Sequence, residues 1–418
     1  MKKLTLVVLG LLWLGTTTFA QTAKVDSSAM VTLRIDPETA KGATVSQIFD
    51  EVEFIPLETT KESLFGKIYQ LKATKDYYVI YDYDTKSVLI FTKKGKFHAK
   101  ISTDIIKQEE GDQKEQLQFF GFQLIKTDGT DQIRTYSRKN VYYFNLDAKL
   151  IRKNPISEEK LEQIYPFTAA NKALKINQLK VEGKDSLFHE IVLFNKNDEV
   201  ASYFPYAANR FKTDQYLGGS STPIIDYGVA NEFFYLRYYD FNIYKITPDA
   251  VSLAYRLIFP ATNSLPKGFM DNADYKNKRI AYFQKNQEIF YGLTDTYQIG
   301  NQLFLKMRSM AFDKNKKNAL IYHLQTGELT SIKDIEPDSL SSFLPITDAG
   351  VFYDYYRYGI HLFDNQSIYT SYSSLAMFTF KEQRAGKQAN YNEVLTTYFN
   401  TQNKKSNPVL IRLKPKKL

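Results

Sequence analysis

The chain has 418 residues, 43% of them hydrophobic and 24% charged, with a formal net charge of +9. That balance excludes a disordered chain, and the length exceeds one ordinary domain, which leaves several domains or one long repeat array. Cysteine is absent, so disulfides, thiolate metal sites and a lipid-modified lipoprotein N-terminus are excluded.

The N-terminus predicts a signal peptide over residues 1–20. Lys2 and Lys3 are its charged start, "LTLVVLGLLWL" (Leu4 to Leu14) its apolar core, and "TTTFA" its cleavage site after Ala20. The apolar run is shorter than the ~20 residues that a spanning helix needs, and no later stretch is long and apolar enough to span. The expectation is an exported protein, periplasmic or extracellular, that is not a lipoprotein. Trp13, the only tryptophan, falls inside this segment, and loss of Lys2 and Lys3 lowers the net charge to +7. The remaining basic residues are scattered apart from the tail "RLKPKKL". With export, this reads as solubility and not as nucleic-acid binding.

Residues 21–50 form an N-terminal segment whose "MVTLRI", from Met30, is a candidate ring-closing strand. From residue 51 onward a unit recurs: an apolar strand, a polar turn, a second strand. It begins at Ser87 ("SVLIFTKKGKFHAKI"), Asn140, Glu190, Asn242, Ala319 and Gly359 ("GIHLFDNQSIYTSYS"). Turn residues such as Lys94-Gly95, Asp147-Ala148 and Thr326-Gly327 separate the strands. Another strand precedes each copy, from Tyr77, Gln132, Lys175, Phe233, Gln302 and Val351 ("VFYDYYR"). Weaker first strands begin at Gly66, Phe120, Ile224 and Ser342. The strand at Val88–Phe91 is apolar on both faces, as expected of a strand buried on both sides. Helices are predicted over Asn272–Asn286 and Asn390–Asn400, the second from the spacing of Tyr391, Val394, Leu395, Tyr398 and Phe399. "EVEFIPL" (Glu51) and "PVLIRL" (Pro408) are further closing strands. The expected fold is all-β: a six-bladed β-propeller of four-stranded antiparallel blades over 51–418, with a few short helices in insertions and near the C-terminus. A seven-bladed ring and another β-rich array are the alternatives.

"EFIPLETTKESLFGKI" (Glu53 to Ile68), the strands that follow it, and the terminal "NPVLIRLKPK" (Asn407 to Lys416) resemble the exported six-bladed β-propeller family of Bacteroides-type bacteria. The resemblance implies a fold and an exported location. It implies no activity, and no functional residue is carried over from it.

Motifs for chemistry are sparse. His98, His189, His323 and His361 lack metal-ligand spacing. No nucleophile elbow or phosphate loop occurs, and "GGSSTP" (Gly218 to Pro223) reads as a linker. Asp82 and Asp84 are too few for a calcium loop. No metal and no cofactor is expected. One distributed feature stands out. Turns joining second to third strands should leave one face of the ring, and four of them carry tyrosine beside Asp or Arg. They contribute Tyr81, Asp82, Tyr83 and Asp84 in the first, Arg138 in the second, Arg237, Tyr239 and Asp240 in the fourth, and Tyr355, Tyr356 and Arg357 in the sixth. Tyrosine offers a flat apolar face and a hydroxyl for recognition; packing between blades is the competing use. The expected function is a binding or scaffold module for a protein or glycan. The alternative is a hydrolase or lyase acting through the central channel.

Overall fold

A computed structural model describes residues 22–417 except 106–118, 120, 128, 159–163, 170, 183–184, 208, 216–223, 312–314, 347–359, 365 and 385–389. The predicted signal peptide lies outside the described residues. The chain enters through three strands, β1 (Val31–Arg34), β2 (Lys41–Thr44) and β3 (Phe49–Pro56). Blade 1 follows as β4 (Gln70–Ala73), β5 (Tyr77–Asp82), β6 (Ser87–Thr92) and β7 (Phe97–Ile101). Blade 2 is β8 (Phe122–Thr127), β9 (Thr130–Tyr136), β10 (Asn140–Phe144) and β11 (Leu150–Pro155). Blade 3 is β12 (Ile164–Pro166), β13 (Lys172–Glu182), β14 (Asp185–Asn195) and β15 (Asp198–Ala207). Blade 4 is β16 (Ile224–Ile225), β17 (Phe233–Leu236), β18 (Asn242–Ile246) and β19 (Val251–Ile258). Blade 5 is β20 (Gly292–Ile299), β21 (Gln302–Arg308), β22 (Ala319–His323) and β23 (Leu329–Glu336). Blade 6 takes β24 (Leu362–Phe363) and β25 (Ile368–Tyr372), then β26 (Val409–Pro415), and lastly β3 from the N-terminal end. The molecule is a six-bladed β-propeller.

β6 shows why the strands stack face to face. Val88, Leu89, Ile90 and Phe91 are all 0% exposed. Leu89 and Phe91 pack towards blade 6, against Ile55, Tyr369 and Leu410. Val88 and Ile90 pack towards blade 2, against Ile133 and Tyr142. Burial of such a side chain stabilises by roughly 1.5–3 kcal/mol, so the stack of blades is itself the hydrophobic core.

Two expectations need correction at blade 6. "GIHLFDNQSIYTSYS" supplies its first and second strands, not its third and fourth. Helices Ser374–Gln383 and Glu393–Thr401 intervene before the third strand, β26. Of the segment from Ser342, the described residues 342–346 form a turn and no strand, with Leu344 and Ile346 buried between blades 5 and 6. "VFYDYYR" lies outside the described residues. The helix near the C-terminus forms, with Leu395, Tyr398 and Phe399 buried and Val394 exposed.

The ring closes with strands from both ends, β26 pairing with β3 from Val409↔Pro56 to Pro415↔Phe49. "MVTLRI" does something else. β1 adds in parallel outside β19 of blade 4, and β2 in parallel outside β23 of blade 5. Upstream, Ala23 N–H donates to the Ser202 carbonyl of blade 3 at 2.8 Å. The N-terminal segment is therefore a strap across the outer edges of blades 3 to 5 before it becomes the outer strand of blade 6.

The residues that carry the family resemblance meet at this closure. Asn407 is 0% exposed. Its side-chain amide donates to the carbonyls of Glu58 (2.8 Å) and Ser63 (3.0 Å), and its oxygen accepts from Phe65 N–H (3.0 Å). The Glu58 carboxylate accepts from Phe97 N–H at 2.9 Å and Lys96 Nζ at 3.1 Å, tying the same connection to the β6–β7 hairpin.

Candidate functional site

Neighbouring strands are antiparallel, so second-to-third turns and blade-to-blade connections leave one face of the ring, here the upper face. The helices Arg210–Asp214, Arg279–Lys285, Ser374–Gln383 and Glu393–Thr401 all lie in such segments.

On blade 1, Tyr81 and Asp82 end β5 and are buried. The Tyr81 hydroxyl donates to the Phe119 carbonyl at 2.5 Å. Burial, then the neighbouring Tyr83 and Tyr69, push its phenol up to about 12. Asp82 accepts the Thr85 N–H at 2.8 Å and so shapes the turn. Both residues build the base of the turn. Tyr83 and Asp84 are exposed above them. Tyr83 is 50% exposed, and Tyr69, at the head of β4, is 55% exposed. Their ring centroids are 5.4 Å apart with planes at 32°, and the Lys86 ammonium is 2.9 Å from the Tyr83 centroid. The result is an open aromatic shelf with one cation on it.

The other predicted residues divide. Arg138 is exposed on the second turn of blade 2. Tyr239 is buried: its hydroxyl donates to the Gln215 carbonyl at 2.6 Å, and its ring stacks on Phe283 at 5.3 Å. Its φ of 56° turns the ring inward, and the surrounding Phe269 and Tyr291 hold it there. Arg237 and Asp240 join an ion network between blades 3 and 4. Arg237 grips Glu190 with two bonds, at 2.7 and 3.0 Å, and approaches Asp240 at 3.6 Å. Arg210 and the Tyr235 hydroxyl, at 2.5 Å, also donate to Glu190. Burial alone would raise the Glu190 carboxyl, but the contacts from Arg237, Arg210 and Tyr235 outweigh it and hold the group below its ordinary value. Desolvation raises Asp240 instead, despite Arg237 and the Tyr244 hydroxyl at 2.7 Å. Tyr355, Tyr356 and Arg357 lie outside the described residues.

Sequence reasoning missed a second group, on the facing sides of blades 5 and 6. Lys306 on β21 has a side chain only 8% exposed and pairs with Asp295 at 3.2 Å. Burial pulls its ammonium down, with Asp295 opposing. Asp295 reaches it from a bulge in β20, between Thr294 and Tyr297, at φ 44°. His361, just before β24, bonds Ser371 Oγ through Nε2 at 2.9 Å. Burial and then Lys306 hold its imidazole down to about 4, so it is neutral. The visible signal was a lysine inside the otherwise apolar "LFLKM". On the lower face, a cleft of about 330 Å³ between blades 4 and 5 is lined by Tyr227, Glu232, Lys245, Tyr255 and Gln298, which largely satisfy one another. Among the described residues no three His, Asp or Glu converge as a metal site.

The family described as "Domain of unknown function (DUF4934)" matches residues 31–414. No curated protein matches the chain. Among solved structures, the chain is similar to a protein of Bacteroides fragilis NCTC 9343 described as exported. The identity is 15%, with 92% of this chain and 100% of that one covered and a TM-score of 0.62. A member of the DUF4221 family from Bacteroides vulgatus is 10% identical, with 88% and 97% covered and a TM-score of 0.39. At these identities the likeness to B. fragilis shows the fold. With the family match spanning nearly the whole propeller, the chain belongs to the DUF4934 family.

Proposed function

We propose that this is an exported binding or scaffold module whose upper face takes a protein or glycan ligand on the blade 1 shelf. Export is supported by the sequence of residues 1–20 and by the B. fragilis protein described as exported. Among the described residues no helix is long and apolar enough to cross a membrane. One observation carries the binding reading: Tyr69 and Tyr83 keep half their surface in solvent while lying side by side under a cation. Stacking platforms of this kind hold sugar rings or peptide side chains at small entropic cost. The test is a glycan array together with a display library of extracellular peptides, read for wild type and for Tyr69→Ala/Tyr83→Ala. A ligand lost in the double variant with an unchanged melting curve supports the shelf. Equal binding by both proteins refutes it. A second reading, a hydrolase or lyase working through the channel, rests on the Lys306–Asp295–His361 group, and polysaccharide turnover abolished by His361→Gln would favour it.

A further inference from the structure

We propose that the upper end of blade 5 binds a compact oxyanion, a carboxylate or a phosphate ester, through Arg308 and Lys306, with His361 as a neighbour. The argument starts from β21. Leu303, Phe304, Leu305 and Met307 are at most 2% exposed, so the strand runs through apolar core. A lysine in that run is costly unless something answers it. Asp295 answers it, from a bulged backbone at positive φ. Strain of that kind collects where a fold aims a side chain for use.

Arg308 follows two residues later on the same strand, close enough for its charge to act on Lys306. Its guanidinium lies 5.4 Å from the Tyr291 ring centroid, and no carboxylate among the described residues lies within ion-pair reach of it. Among the described residues Lys306 and Arg308 therefore face one carboxylate, and His361 adds no charge. Among those residues the local surplus is one positive charge, carried by a planar fork suited to bidentate oxyanions. β21 runs towards the upper face, which leaves Arg308 at the mouth and Lys306 one step below. This site does not depend on the blade 1 shelf.

The test is titration calorimetry with three probes: glucuronate, glucose 6-phosphate and glucose. At least one charged sugar binds and glucose does not; which charged sugar binds identifies carboxylate or phosphate. Arg308→Gln weakens that binding by roughly tenfold or more, the loss of one charge-assisted contact. Arg308→Lys keeps the charge but not the fork and also weakens it. Affinity falls as salt rises. The proposal is overturned if neither charged sugar binds up to its solubility limit, if glucose binds as tightly, or if folded Arg308→Gln and Arg308→Lys both titrate like wild type.

Discussion

Asn407 gives the sharpest test of how the ring is closed. Its side chain makes three hydrogen bonds, all to the backbone of the Glu58–Phe65 segment, inside a fully buried site. Asn407→Ala leaves two carbonyls and one N–H without that partner, while the backbone bond from Asn407 N–H to Thr59 Oγ1 persists. At about 1 kcal/mol for each bond, the loss is about 3 kcal/mol. Asn407→Asp is more informative. The carboxylate still accepts from Phe65 N–H but turns an acceptor towards the two carbonyls, so its folded pKa lies above the unfolded value. The protonated form suits the fold, so the penalty is small below the unfolded pKa and grows as pH rises above it. Asn407→Asp should be worse than Asn407→Ala at pH 7 and improve on acidification. The assay is urea unfolding followed by far-UV circular dichroism at two pH values. An Asn407→Ala loss well under about 1 kcal/mol would show that water replaces the amide at little cost, and the clasp would then not be what holds the two ends.

Three further perturbations follow from the same geometry. Deleting Pro408–Leu418 removes β26, which pairs with both β25 and β3, so the cooperative melting transition should be lost; an unchanged transition would mean the ring closes otherwise. A methyl group on Gly95 would lie 2.2 Å from the Pro56 carbonyl oxygen, at a φ of 77°, so Gly95→Ala should cost more than about 1 kcal/mol by chemical denaturation. Glu190→Ala takes the shared carboxylate from two arginines, leaving Arg210 beside Asp214 at 3.7 Å and Arg237 beside Asp240 at 3.6 Å, and should cost up to about 3 kcal/mol, less whatever solvent reaches the part-exposed Arg237. Because the folded Glu190 pKa is depressed, its contribution is present above the unfolded carboxyl pKa and is lost as pH falls through the folded value; wild type should therefore lose more stability on acidification than Glu190→Gln.

How much of this was legible in the sequence depended on whether the signal was local. β6 was legible because burial on both faces writes a continuous apolar run. Blade 6 was misassigned because a hairpin looks the same whichever two adjacent strands it joins; only the helices before Val409 show that strand three comes later. Tyr83 and Tyr239 occupy equivalent turns, and nothing in either turn says which ring faces water. The decision is made by Phe269, Phe283 and Tyr291, which cover Tyr239 from distant parts of the chain. Asn407 was equally silent, since one asparagine before a proline carries no pattern. Lys306 was the exception, readable as a charge in an apolar strand.

The strap and the uncovered outer strands show two ways in which the fold handles its sheet edges. Each blade ends in an outer strand with unpaired backbone groups, a template for strand addition. The N-terminal segment covers those of blades 3, 4 and 5, and β3 itself ends blade 6. Among the described residues no strand is added to the outer edges of blades 1 and 2, nor outside β3 of blade 6. The outer strands of blades 1 and 2 carry the other protection. β11, with Leu150 and Ile151 41% and 48% exposed, bears Arg152 and Lys153 and ends in Pro155. β7 bears His98 and Lys100, the latter reaching the Glu62 carbonyl at 3.2 Å. Charge and proline discourage pairing where no strand is available to complete it. The division has a consequence for blades 4 and 5. Leu257 of β19 and Leu329 of β23 are buried there, and Leu33 and Ile35 of the strap add to the same core, which holds Leu303, Leu305 and Met307 of β21.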